Sequence, residues 1–290
     1  MWISDQWKDY RILDCGDGEK VERWAEQVLV RPDPQAVWHK RANVSAWKKA
    51  DATYHRSSSG GGRWDIRRLP KQWDVHYREL TFRIKPMSFK HTGLFPEQAV
   101  NWDFIDRTIR AANRPVSVLN LFAYTGGATL AAAAAGASVC HVDSSKGMTQ
   151  WARENAQASG LADRPIRWIV DDCRKFVERE IRRGRKYDGI IMDPPSYGRG
   201  AGGEVWKIED DIADFVELVS KVLSDNPLFV LINSYSAGLA PSVMAYLLGT
   251  TVADKFGGTI TCDEIGLPVE STGYALPCGN TARWCADGKA

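Results

Sequence analysis

No Cys-x-x-Cys pair and no zinc-type ligand spacing occurs in the 290 residues; the six cysteines, Cys15, Cys140, Cys173, Cys262, Cys278 and Cys285, are scattered. That argues against a disulfide framework and against a metal site. No uninterrupted apolar run approaches the roughly 18 residues of a membrane span. The opening residues, Met1-Trp2-Ile3-Ser4-Asp5-Gln6, turn polar at once and lack the basic, apolar and small-residue succession of a secretory leader. The expectation is a cytoplasmic protein with neither a membrane nor a metal partner. The turn Ala123-Tyr124-Thr125-Gly126-Gly127-Ala128 lacks the full G-x-G-x-x-G of a pyrophosphate binder.

Net charge is slight at +2, but it is unevenly spread. Residues 1–90 carry 18 Lys or Arg against 12 Asp or Glu, and the remainder 20 against 24, so the front is basic and the rest mildly acidic. Seven of the twelve tryptophans also fall in those first ninety residues. Basic surface interleaved with aromatics suits a nucleic-acid backbone with unstacked bases. A small β domain with a tryptophan core and solubilising lysines explains the same composition.

The stretch Val116-Ser117-Val118-Leu119-Asn120-Leu121-Phe122-Ala123-Tyr124-Thr125-Gly126-Gly127-Ala128-Thr129 reads as a buried strand, a two-glycine turn and an alanine-rich helix to about Ala135. Such a turn brings backbone close to a ligand and aims the unpaired N–H groups of the helix at it. About twenty residues on, Ser138-Val139-Cys140-His141-Val142-Asp143 is a second strand ending in a carboxylate. In doubly wound folds an acid at that distance bonds the hydroxyls of a ribose. The pair predicts a nucleoside-containing ligand.

Before this lie alternating strands over 9–14, 20–24 and 26–31, closed by Pro32 and Pro34. The pattern loosens from Trp38 to Trp64, where 56–63 reads as a mobile hairpin loop. Strand rhythm resumes over 73–84 with a slip between Tyr77 and Leu80, and a helix follows over about 98–112. After Val116, strands and helices alternate; further strands end at Asp171-Asp172-Cys173, at Asp193-Pro194-Pro195-Ser196-Tyr197 and at Asn233-Ser234-Tyr235-Ser236. That alternation predicts an open α/β sheet binding its ligand at the carboxyl ends of the strands. A helix is expected over about 210–223, and Gly279 to Trp284, between Cys278 and Cys285, as a turn and a last strand. The expected division is a β-rich basic module over 1–88 and a ligand-binding domain over 89–290.

These residues resemble a known family, the class I S-adenosylmethionine-dependent methyltransferases, and within it the branch with bacterial large-subunit ribosomal-RNA methyltransferases. The likeness covers roughly 73–286. It rests on His91-Thr92-Gly93-Leu94-Phe95, on Asn120 to Gly127, on Asp143 and on Asp193-Pro194-Pro195-Ser196-Tyr197-Gly198-Arg199-Gly200. It implies a Rossmann-like seven-stranded sheet with an antiparallel last strand, S-adenosyl-L-methionine as cofactor, S-adenosylhomocysteine as product and ribosomal RNA as partner. The cofactor residues it implies are Thr92, Gly93, Phe95, Asn120, Phe122, Ala123, Tyr124, Thr125, Gly126, Gly127, Asp143, Ser144, Asp172 and Cys173. Among them Gly126 and Gly127 approach the methionine, Asp143 holds the ribose, and Asp172 with the Cys173 N–H reads the adenine. For each acid the plainer role is a strand-end or helix-cap carboxylate, and Asp171 competes with Asp172.

Asp193, Pro194, Pro195 and Tyr197 are the catalytic candidates. Two prolines remove N–H donors and stiffen the loop, leaving acceptors aimed at one place. In the family this loop lies between cofactor and target, where an aromatic stacks on a flipped base and the acid accepts an N–H. Relatives that methylate cytosine carbon need a cysteine near the end of the fifth strand, and Asn233-Ser234-Tyr235-Ser236-Ala237-Gly238 has none. Methylation of a base nitrogen is the expectation. Arg199, the 202–207 stretch and 233–238 are expected near the substrate mouth, with 198–203 read either as a lid or as a plain connection. Other readings of the chain are a cofactor-binding RNA-assembly or sensing factor without turnover, a methyltransferase acting on a protein or small molecule, and an NAD-dependent oxidoreductase.

Overall fold

The computed structural model describes residues 1–39, 42–57, 61–199 and 205–287. It divides into two compact units, Met1–Val100 with Ile265–Cys278, and Asn101–Glu264 with Gly279–Ala290.

The first unit holds a five-stranded sheet in the order β2 (Tyr10–Gly16), β3 (Glu19–Trp24), β4 (Gln27–Pro32), β5 (Ala52–Arg56), β6 (Gly62–Ile66). The first three strands stand where alternation predicts them. The loosened segment 38–64 carries the short helix α1 (Val44–Lys48) and two further strands, with Ser58, Ser59 and Gly60 outside the described residues. The 73–84 segment is not one slipped strand but a hairpin of β7 (Trp73–Tyr77) and β8 (Leu80–Ile84). Its turn puts Arg78 at φ 51°, in the left-handed region. The two-residue β1 (Trp2–Ile3) runs parallel to Ile265–Gly266.

A buried ion cluster lies within this unit. Glu22 is fully buried; Tyr10 Oη donates to its Oε2 at 2.7 Å, the Arg31 guanidinium pairs with its Oε1, and Lys20 stands 3.9 Å away. Burial alone would raise the Glu22 carboxyl, but Arg31 and Lys20 overcome it and hold the group at about 2. Arg31 Nη1 also donates to the Lys90 carbonyl at 3.0 Å, which ties the sheet to the segment leading into Thr92.

The second unit opens with α2 (Ala99–Ala111) and then alternates β9 (Ser117–Leu121), α3 (Gly127–Ala134), β10 (Ser138–Asp143), α4 (Lys146–Ala158), β11 (Ile166–Val170), α5 (Cys173–Arg182) and β12 (Gly189–Met192). A small antiparallel pair follows, β13 (Tyr197–Arg199) with β14 (Val205–Lys207), and then α6 (Ile208–Ser220), β15 (Phe229–Ser234) and α7 (Pro241–Leu248). Gly198 and Arg199, which open the 198–203 segment, thus lie in a strand, while residues 200–204 lie outside the described residues. The long β16 (Thr259–Pro268) and β17 (Ala275–Cys285) pass through residues of both units. Gly279 and Asn280 are not a turn; β17 runs through them unbroken.

The sheet has eight strands in the order β1-β16-β17-β15-β12-β9-β10-β11, with β9 to β12 and β15 mutually parallel and β17 antiparallel to β15. The two-residue β1 adds an eighth at the β16 edge, and the other seven form the Rossmann-like arrangement that the resemblance implies. Its central strands are buried on both sides, so they read as apolar runs; Leu119, Leu121, Ile190 and Ile232 have no exposure at all. Each such side chain contributes roughly 1.5–3 kcal/mol by leaving water. The helices begin and end on local signals: Ser145 caps α4, Asp172 caps α5, and Gly184 at φ 65° follows the α5 carboxyl end, where Arg179 and Arg182 oppose the helix dipole. Among the described residues no helix is long and apolar enough to cross a membrane.

Candidate functional site

The parallel register sets the site. Val142 pairs with Leu121, Asp143 with Val170, Met192 with Leu121 and Met192 with Ile232. Val170, Asp143, Phe122, Asp193 and Asn233 therefore form one row across the carboxyl edge, with Asp171 one residue beyond it. Neighbouring strands are about 4.8 Å apart, so roughly 10 Å separates the columns of Asp143 and Asp193.

Past β9 the backbone takes an uncommon path. Phe122 lies at φ 55°, Tyr124 at φ 49° and Gly126 at φ 89°. Left-handed geometry is cheap for glycine and costs a bulky residue on the order of 1–3 kcal/mol. Several bonds hold the turn: Ala123 N–H to the Val142 carbonyl at 3.1 Å, Tyr124 N–H to Asp143 Oδ2 at 2.8 Å, Asn155 Nδ2 to the Thr125 carbonyl at 2.9 Å and Phe122 N–H to Cys173 Sγ at 3.3 Å. The glycines also answer to packing. A Cβ on Gly127 would meet Trp102 at 2.6 Å, and one on Gly126 would meet Ala152 at 3.0 Å.

Asp143 ends β10 and is half-buried. Oδ2 accepts from Tyr124 N–H and Oδ1 from Ser145 N–H, the latter also at 2.8 Å. Burial raises this carboxyl, and the two backbone donors offset that only in part. Ser144 beside it is exposed. Asp172 serves as helix cap, with Oδ1 accepting from Lys175 N–H at 2.9 Å, while Asp171 accepts from Asp172 N–H and pairs with Arg179. The Cys173 thiol is buried and pushed well up by that burial, so it stays protonated. Asn120 sits inside the sheet: its Nδ2 donates to Thr129 Oγ1, which lies 2.9 Å from His141 Nδ1, and all three side chains are buried. Burial depresses His141 to about 3, with Arg153 adding to the effect, so the ring is neutral.

On the other side of the turn, Asn233 Nδ2 donates to Asp193 Oδ1 at 2.9 Å. Asn233 is fully buried, and its Oδ1 has no hydrogen-bond partner among the described residues. A flipped amide would set that oxygen against the carboxylate, so the assigned orientation is the favourable one. Pro194 is buried; Tyr197 is 52% exposed. Trp206, from β14, donates its Nε1–H to the Pro195 carbonyl at 2.7 Å and packs on Phe122 at 5.6 Å and on Phe215 at 5.5 Å. One indole thereby braces the Asp-Pro-Pro loop against the strained turn. The contact is long-range, and nothing in the local pattern around residue 206 signals it. Further along, Ser236 Oγ bonds Glu209 Oε1 at 2.5 Å.

Thr92, Gly93 and Phe95 belong to the first unit. Thr92 is fully buried with no partner for Oγ1 among the described residues, Gly93 is at φ 97°, and Phe95 packs on His91 with ring centroids 5.2 Å apart. Gly200 and the 202–204 part of the expected mouth lie outside the described residues. Among the described residues, no group of three or more His, Cys, Asp or Glu is placed to hold a metal.

A model of the S-adenosylmethionine-dependent methyltransferase family matches residues 41–236. The crystal structure of a SAM-dependent methyltransferase from Agrobacterium tumefaciens is similar over 98% of this chain and 92% of that one, with a TM-score of 0.93 at 36% identity. Two curated relatives are ribosomal RNA large subunit methyltransferases K/L. The Shewanella frigidimarina protein is 32% identical over 155 residues, 53% of this chain and 21% of that protein. The Chromohalobacter salexigens protein is 30% identical over 203 residues, 69% of this chain and 25% of that protein. The chain spans a quarter or less of the length of these two relatives.

Proposed function

Because the chain belongs to the family of S-adenosylmethionine-dependent methyltransferases, we propose that it methylates a nitrogen of an RNA base, with ribosomal RNA as substrate. The observation that carries this is the row at the carboxyl edge, in which Asp193, held by Asn233, stands one strand from the cofactor turn and two from Asp143.

The residues fit the cofactor. A carboxylate has about four acceptor sites, and Asp143 spends only two on backbone N–H groups, so a ribose diol is a suitable donor pair for the rest. Asp172 and the Cys173 N–H would read the adenine edge, and the Phe122–Gly127 turn would seat the methionine. S-adenosylmethionine, when bound, supplies a methyl group already activated by the positive charge on its sulfur. What is left for the protein is chiefly orientation.

Tyr197 offers an exposed ring on which a flipped base stacks, and Asp193 accepts the proton of the N–H being methylated. Nitrogen is favoured over cytosine carbon because Asn233-Ser234-Tyr235-Ser236 has no thiol to add to the ring. The thiol that does stand near the turn, Cys173, is buried and bound to Phe122 N–H. RNA is supported by what the curated relatives are named for and by the basic, tryptophan-rich first ninety residues. That substrate would put the work in the cytoplasm.

The test is transfer of label from S-adenosylmethionine to ribosomal RNA that lacks its own modifications, followed by nucleoside analysis. N-methylated base is the expected product; 5-methylcytosine, or label only on protein or small molecules, overturns the reading. Asp193→Ala should lower single-turnover methylation about a hundredfold or more, in the range of lost acid–base groups, while S-adenosylhomocysteine still binds within a few-fold.

A further inference from the structure

The opposite edge of the same sheet holds a second feature. A cavity of about 390 Å³ opens where β9, β10 and β11 begin, lined by Arg164, Arg167, Arg185 and Lys186, with Ser117 and Tyr187 among its other walls. The segment 164–186 carries nine Lys or Arg against four Asp or Glu, although residues 91–290 as a whole are acidic.

Most of these cations are used internally. Arg179 pairs with Asp171, Arg167 and Arg183 reach Glu180 at 3.4 and 3.1 Å, and Lys186 donates to the Lys221 carbonyl at 2.8 Å. Arg164 and Arg185 are different: among the described residues their exposed guanidinium groups carry no hydrogen bond or ion pair. The carboxylates bonded to the cavity's lining are already committed. Glu180 is fully buried under Tyr187 Oη, Arg167 and Arg183, and Asp188 takes Ser117 N–H, Ser224 Oγ and Arg114. Dipole compensation at the α5 carboxyl end accounts for Arg179 and Arg182, but not for Arg164 before β11 or for Arg185 beyond the helix.

We propose that this cavity seats a phosphate, with its attached sugar, from the backbone of the RNA substrate. Planar guanidinium groups bind phosphate oxygens in pairs, and the volume accommodates more than a bare ion. The seat lies at the Ser138 end of β10, and Asp143 ends the same strand roughly 17 Å away at about 3.3 Å per residue. The substrate is therefore gripped at a point remote from the methylated base. The inference rests on the RNA reading above.

The experiment measures binding of an unmodified ribosomal RNA transcript against salt concentration for the wild type, Arg164→Glu/Arg185→Glu, the milder Arg164→Gln/Arg185→Gln, and Lys255→Glu as an exposed control outside the cavity. S-adenosylhomocysteine affinity is measured on each and should not change, which shows that the fold is intact. The charge-reversed pair should bind RNA about tenfold or more weakly, with a log–log salt slope shallower by about 0.7–0.9 for each phosphate no longer bound. The Gln pair should fall between, and Lys255→Glu should match the wild type. If the wild type binds and methylates RNA while both pairs keep its affinity and slope, the RNA reading stands and the seat is refuted. If the wild type does not bind RNA, both fall together.

Discussion

Two carboxylates, the fully buried Glu22 in one unit and the half-buried Asp143 in the other, are handled in opposite ways. Glu22 is surrounded by Arg31, Lys20 and the Tyr10 hydroxyl, and its charge is neutralised where it stands. Asp143 has two backbone N–H groups and, among the described residues, no paired cation, so burial leaves its carboxyl raised. A carboxylate whose partners are all supplied holds a fold together. One supplied with half of its partners is poised to take the others from a ligand.

The harshest way to break this contrast is Glu22→Ala, which leaves the buried Arg31 guanidinium without its paired carboxylate, while Lys20 keeps Asp33 at 3.1 Å. A loss of roughly 3–5 kcal/mol of unfolding free energy is expected from urea titration, as for other buried pairs opened from one side. Asp143→Ala should cost less stability, roughly 1–2 kcal/mol for the two backbone N–H bonds it loses, while S-adenosylhomocysteine affinity falls about a hundredfold by calorimetry, close to 3 kcal/mol. Equal stability losses in the two variants would erase the distinction.

His141 meets burial a third way, by staying uncharged. Its folded pKa, about 3, lies below the unfolded value near 6.5. Unfolded chains therefore bind the extra proton first, so stability is full above about pH 6.5 and falls as pH drops toward 3. Between pH 7 and 5 this costs about 2 kcal/mol, and the drop should shrink in His141→Gln. A smaller effect tests the neutral neighbour of Asp193. Asn233→Ala should lower kcat about tenfold with KM for RNA little changed, because it removes a group that orients the acid rather than one that touches substrate. Asn233→Asp, which sets carboxylate against carboxylate, should be worse than Ala.

How far the sequence revealed all this depends on how local each signal is. Strands β9, β10, β12 and β15 were legible because central parallel strands are apolar nearly throughout, the edge strand β11 because Ile166, Trp168, Ile169 and Val170 keep it largely apolar, and Asp143 and Asp193 stood out as charges ending such runs. Gly126 marked the turn, since glycine advertises a left-handed backbone. Phe122 and Tyr124 share that conformation and advertised nothing; bonds from Asp143, Asn155 and Cys173 impose it from elsewhere in the chain. Arg78-Glu79 concealed a hairpin for the same reason, having none of the Gly or Asn that such turns favour. The grip of Trp206 on Pro195 and of Asn233 on Asp193 depends on strands that only folding makes adjacent. The basic cavity was masked by the acidic balance of the residues around it.

The path of β16 and β17 bears on how the protein is inherited and handled. The first unit is assembled from Met1–Val100 and a late return, Ile265–Cys278, which supplies the partner of β1 and, at Val269, a bridge to Ile12. A fragment ending at residue 100 would have neither of these pairings. The module is therefore not one cassette in the gene: recombination that exchanges it intact must move two separated segments, and a deletion meant to isolate the second unit must remove Ile265–Cys278 as well as Met1–Val100.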